Sequence, residues 1–111
     1  MVSVGQAYWG KTCFADGSMP AYIRPYLIVE VLEKGVYVLN VSSSKGKENK
    51  LIYKSNYFLK NNYPPFPKSS FVKLDSRKFI SNEELKDFNL MCRGDKLNSK
   101  DLNFILKNHL K

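Results

Sequence analysis

Residues 26–33, Tyr-Leu-Ile-Val-Glu-Val-Leu-Glu, form an almost unbroken apolar run with several β-branched members, and a second run, Val-Tyr-Val-Leu-Asn-Val, occupies 36–41 after Lys34-Gly35. Runs of this length are short for helices, and β-branched side chains pack well on a pleated surface. The pair therefore predicts a β-hairpin with a tight turn at Lys34-Gly35. Further strands are expected at 6–9, 51–53 and 71–74. Between the last two, Asn61-Asn62-Tyr63-Pro64-Pro65-Phe66-Pro67 holds too many prolines to donate into a sheet ladder, so it is expected to connect rather than pair. Five or more short strands separated by polar loops point to a small barrel or half-barrel.

In the C-terminal third the hydrophobic period changes from two to about 3.6. Ser81 with Glu84 three residues on has the form of a capping box, and Ile80 before it can staple onto Leu85, so a short helix is predicted to begin at Ser81. Asn98 with Asp101 repeats the pattern, and Leu102, Ile105, Leu106 and Leu110 beyond it fall on one helical face. With 111 residues, 43% of them hydrophobic, and no internal repeat or linker, the chain 1–111 reads as a single domain with one core. The expected fold is mainly β, a small barrel with a C-terminal helix packed on it.

The net charge is +8, and its placement is more informative than its size. Residues 40–78 hold nine basic side chains, among them Lys45, Lys47, Lys50, Lys54, Arg77 and Lys78, against only Glu48 and Asp75, whereas the segments on either side are nearly balanced. Such a concentration is the footprint of a surface that meets a polyanion. Tyr57, Phe58, Tyr63 and Phe66 are interleaved with Asn and Lys around the proline loop. Rings so placed either anchor a core or stack on unpaired bases, and Tyr63 is expected to be the exposed one.

Several other classes are disfavoured. No stretch approaches the roughly 18 apolar residues of a membrane span, and 1–10 lacks the charged flank and apolar run of a signal peptide, so no membrane partner and a cytoplasmic location are expected. Cys13 and Cys92 stand in no CxxC or Cys/His spacing and the acidic residues are scattered, so no zinc, disulfide or carboxylate-bound metal is indicated, and no cofactor is expected. The single histidine, His109, excludes a mechanism built on a histidine pair, and the isolated Gly35, Gly46 and Gly94 make no phosphate loop.

Five words occur in order along the chain. Gly5-Gln6-Ala7-Tyr8-Trp9 opens it, Ile23-Arg24-Pro25-Tyr26-Leu27-Ile28-Val29 is an Arg-Pro-led second strand, and 36–43 is a third strand ending in hydroxyl residues. Ser69-Ser70-Phe71-Val72-Lys73-Leu74-Asp75 and Gly94-Asp95-Lys96-Leu97-Asn98-Ser99-Lys100-Asp101-Leu102 follow. In this order and at this spacing they resemble the MazF/PemK/Kid family of toxin–antitoxin endoribonucleases across nearly the whole chain. The resemblance implies an SH3-like barrel, metal-independent cleavage of single-stranded mRNA, a homodimer, and a cognate antitoxin that inhibits the enzyme. It also implies that Arg24 and Ser42 form the cleavage site, with Ser43 as the alternative hydroxyl.

The residue types suit that chemistry. Attack of an RNA 2′-hydroxyl on the adjacent phosphorus gathers negative charge on the phosphoryl oxygens, and a planar, permanently charged guanidinium can hold two of them at once. A short hydroxyl adds a further hydrogen bond. Lys45, Lys47, Lys50, Lys54, Tyr63, Arg77 and Lys78 are the expected RNA-binding residues. No general base is evident, since an arginine is too basic for that role. A catalytically silent SH3-like module that binds nucleic acid or protein is the alternative, and a DNA-gyrase-directed toxin a third reading.

Overall fold

The structure, a computed structural model, describes residues 2–13, 17–19, 21–44 and 55–110. Among them the chain forms β1 (Ala7–Gly10), β2 (Arg24–Leu32), β3 (Gly35–Ser43), β4 (Asn56–Phe58), β5 (Ser70–Lys73), β6 (Lys78–Ser81), α1 (Asn82–Leu85), β7 (Asn89–Leu90) and α2 (Ser99–Asn108), with a 3₁₀ turn at Cys92–Gly94. The hairpin expected from the two apolar runs organises the rest, β2 pairing antiparallel with β3 from Tyr26↔Asn40 to Leu32↔Gly35. Its turn is Glu33-Lys34, one residue earlier than predicted, because Gly35 already belongs to β3. A Cβ at Gly35 would run into the carbonyl oxygen of Ile80 and lie 2.9 Å from Ser81 Cα. Glycine is needed there by the close approach of β6, not by the turn.

The hairpin is buried on both faces, which is why its strands read as continuous apolar runs rather than alternating ones. Leu27, Val29, Leu39 and Val41 face the main core with Phe66, Val72 and Ile105. Tyr26, Ile28, Val36 and Val38 face a second cluster with Ile80, Leu85 and Phe88. The single core expected from the sequence is thus two clusters separated by the hairpin. The register slips between Ile28 and Glu30, making Val29 the extra residue of a bulge, and bulges strengthen local twist.

Strand β3 pairs through its first half with β6 and through its second half with β5, so it passes from one part of the sheet to the other. The strand order is β4-β5-β3-β2-β1-β7, with β6 also on β3, and every pairing is antiparallel. The result is a mainly β, small barrel-like fold with a C-terminal helix packed on it. The strand expected at 51–53 lies outside the described residues, and 59–69, with its prolines, contains no strand. Strands β4, β6 and β7 were not anticipated. β7 is two residues long and is a strand only because it pairs with Tyr8 and Trp9.

Both helix starts are as predicted. Ser81 Oγ accepts from Glu84 N at 3.1 Å, and Ile80 and Leu85 meet in the same apolar cluster. Asn98 Oδ1 accepts from Asp101 N at 2.9 Å, and Ile105 is wholly buried, with Leu102 and Leu106 packed against the main core. Leu110 does not extend that face. The helix ends at Asn108, and Leu110 is exposed while its N–H donates to the Leu74 carbonyl at 2.8 Å. Among the described residues no helix is long and apolar enough to cross a membrane.

Candidate functional site

Alternation along the hairpin sorts the candidate residues onto its two faces. Arg24, Tyr26 and Ile28 share one face of β2, and Ser42, Asn40 and Val38 share the matching face of β3, since Tyr26 pairs with Asn40 and Ile28 with Val38. The β2–β3 ladder ends at Tyr26↔Asn40, where β2 continues against β1 through Gly10↔Arg24 and β3 against β5 through Ser42↔Phe71. Arg24 and Ser42 are therefore the next same-face residues beyond the last paired rung. Ser42 is buried. Ser43 points to the opposite face, into a groove with Pro25 and Ser70.

A cleft of about 340 Å³ opens over the end of this ladder, with Tyr26 and Asn40 in its wall. Thr12 and Cys13 bound it from the β1–β2 connection, and Asp75 to Lys78 from the β5–β6 turn. The turn is pinned from both sides: Ser76 Oγ donates to Lys73 O at 2.6 Å and accepts from Asn40 N at 2.8 Å. Lys78 Nζ donates to Cys13 O at 2.9 Å and lies 3.5 Å from Cys13 Sγ. Arg77, also in the cleft wall, has Nη2 3.1 Å from Glu30 Oε1 and its guanidinium carbon 3.4 Å from the centre of the Tyr37 ring. Arg77 is thus a cation already partnered by a carboxylate and an aromatic face.

Burial pushes the Tyr26 hydroxyl above the ordinary tyrosine value; the charge of Arg24 opposes that shift and the charge of Glu84 adds to it. Both charged groups therefore act on Tyr26 from nearby. Glu84 is held by Thr12, whose Oγ1 donates to Glu84 Oε2 at 2.7 Å. Sequence reasoning had assigned Glu84 only to the start of a helix, and no spacing rule links it to Thr12 across 72 positions. Tyr26, Asn40, Thr12 and Cys13 were also missed as wall residues, because they converge only through strand pairing and the return of the β5–β6 turn.

Tyr63 lies elsewhere, exposed in a groove of about 310 Å³ with Trp9, Pro65, Leu90 and Cys92. Its hydroxyl is raised above the usual value, first by the neighbouring Cys92 thiol. Phe66, from the same loop, is wholly buried. Lys45, Lys47, Lys50 and Lys54 lie outside the described residues. His109 is the buried C-cap of α2, its N–H donating to Ile105 O at 2.9 Å, and it does not line the cleft. Both cysteines are free and half-buried, and among the described residues no three His, Cys, Asp or Glu side chains gather as metal ligands.

No family model matches the chain, and a search of curated proteins gives no match.

Proposed function

We propose that this protein is a metal-independent endoribonuclease that cuts single-stranded RNA by attack of a 2′-hydroxyl on the adjacent phosphorus. One observation carries the reading: Arg24 and Ser42 share a face of the hairpin with Tyr26 and Asn40, and the latter two line a cleft whose wall also holds Lys78. In this reading the Arg24 guanidinium takes up charge that develops on the phosphoryl oxygens, and the Ser42 hydroxyl fixes the same phosphate. Lys78, in the cleft wall, is the cation for a neighbouring phosphate. The 2′-hydroxyl gives its proton to water as the new bond closes a 2′,3′-cyclic phosphate, the P–O5′ bond breaks, and the 5′-oxygen takes a proton from water and leaves as a hydroxyl.

The same reading, through the family resemblance, makes the protein a cytoplasmic homodimer held in check by a cognate antitoxin. The alternative, a catalytically silent module, holds nucleic acid or a protein through the same basic face of 40–78 without cutting it. Purified protein stripped of any bound inhibitor, incubated with single-stranded RNAs of varied sequence in EDTA, separates the two. Cleavage with 2′,3′-cyclic phosphate termini, abolished by a 2′-deoxy group at the scissile nucleotide, is the expected result. Binding without cleavage of any strand overturns it in favour of the silent module.

A further inference from the structure

We infer that Trp9 and Tyr63 form a stacking platform for unpaired bases next to the Arg24–Ser42 face, an inference that rests on the RNA-binding reading above. Trp9 is 45% exposed and Tyr63 67%, and both rings line the groove of about 310 Å³. Neither packs on another ring among the described residues, whereas Tyr26, Tyr37 and Tyr57 lie against Phe88, Phe79 and Phe104. Rings left open in this way present flat faces that a base can cover. Trp9, Pro67 and Met91 also line a second hollow of about 220 Å³, which carries the same surface on to Pro25 and Lys68.

Strand register ties this surface to the proposed cleavage site. Trp9 stands opposite Pro25, and the next rung is Gly10↔Arg24. Trp9 is therefore one rung, about 3.4 Å of strand, from the pair that holds Arg24. Pro25 and Arg24 point to opposite faces, and β2 begins at Arg24, so a strand crossing that end sets a base in the groove and an adjoining phosphate beside Arg24. The occupant follows from size and charge. Each hollow lies at or below the small end of ligand sites, too small for the roughly 10 Å cylinder of a helix. The charged side chain in the second hollow's wall is Lys68, in a chain of net charge +8. Open ring faces beside an ammonium fit a nucleotide, whose base stacks while its phosphate meets the cation. A duplex keeps its bases stacked on one another and offers no free face. Stacking tolerates every base, so this groove supplies affinity without choosing a sequence.

Trp9 is the chain's single tryptophan, so its fluorescence reports on this groove directly. The test titrates a 2′-O-methylated single strand of mixed sequence, which no 2′-hydroxyl can cut, into the wild-type protein, following that fluorescence beside the anisotropy of the labelled strand. Quenching with the same midpoint as the anisotropy change is expected, and none from the same strand closed into a duplex or stripped of its bases. Trp9→Leu and Tyr63→Ala should each weaken binding by about 5- to 150-fold, the span of one lost base stack. Trp9→Phe keeps a ring and should stay within a few-fold of wild type; thermal unfolding checks that each variant is folded. Binding with unchanged Trp9 fluorescence, and with affinity undiminished in Trp9→Leu and Tyr63→Ala, overturns the inference while leaving the RNA reading intact. So does a fluorescence change that follows protein concentration alone and that the strand does not reverse, which gives the groove to a second copy of the chain. Failure to bind any strand removes both.

Discussion

Asp101 shows how much a single side chain can be asked to hold. It is 2% exposed, accepts from Tyr57 Oη at 2.6 Å and from Asn98 Nδ2 at 2.9 Å, and joins α2 to β4 and to the Asn61 backbone. Burial works to raise its pKa, but the hydrogen bonds from Asn98, Tyr57 and Asn61 outweigh it and hold the carboxyl below its ordinary value. Tyr57 is pushed up to about 12, by burial first and then by Asp101, and its ring stacks on Phe104 at 4.4 Å. Because the folded-state pKa of Asp101 is depressed, its contribution to stability is complete above the unfolded value and is lost as pH falls through the folded one. The raised Tyr57 value acts in the opposite sense, with stability complete below pH 10 and lost as pH rises through about 12. Tyr57→Phe should therefore cost about 1.5–3 kcal/mol at pH 7, the range for a hydrogen bond to a charged group. Urea unfolding should show that difference shrinking as pH falls below the ordinary aspartate value of 3.8; a difference that does not change with pH would mean the carboxylate is not its source.

At the scale of elements, Gly35→Ala is the sharpest probe. An ordinary strand glycine gains stability on replacement by alanine, but here the new methyl meets the Ile80 backbone. The variant should lose about 1–3 kcal/mol in urea unfolding, as overpacking does. An unchanged or raised stability would show that β6 can retreat from β3. Asn98→Ala should cost about 0.5–2 kcal/mol through the lost cap, read in the same way. What could be read in advance follows the range of the forces involved. The β2–β3 hairpin and both helix starts rest on neighbours in sequence, and these were legible at 26–33, 36–41, Ser81 and Asn98. β6 and β7 rest on partners far away, Gly35 to Val38 for one and Tyr8 and Trp9 for the other, and no local pattern announces them. The same holds for the cleft. Arg24, Ser42, Arg77 and Lys78 were named from charge and resemblance, but the Thr12–Glu84 hydrogen bond and the place of Trp9 beside Pro25 arise from register.

For the whole molecule, the proposed function gives the concentration of charge in 40–78 and the hairpin face that carries Arg24 separable roles toward RNA. If the lysine-rich segment tracks the backbone, affinity for an uncleavable single strand should fall with salt at a log–log slope of about −0.7 per neutralised phosphate, or roughly −3 for four to five contacts. Reversing Lys45, Lys47 and Lys50 together should flatten that slope, and a slope unaffected by the triple variant would remove this segment from the binding face. The proposed function asks something different of Arg24, to stabilise charge present only in the transition state. The most direct test is Arg24→Ala, measuring single-turnover cleavage beside affinity for a strand made uncleavable by a 2′-deoxy group. Cleavage should fall by about 10²–10³ with affinity within a few-fold of wild type, whereas undiminished cleavage, or cleavage and affinity lost in equal proportion, would contradict the account.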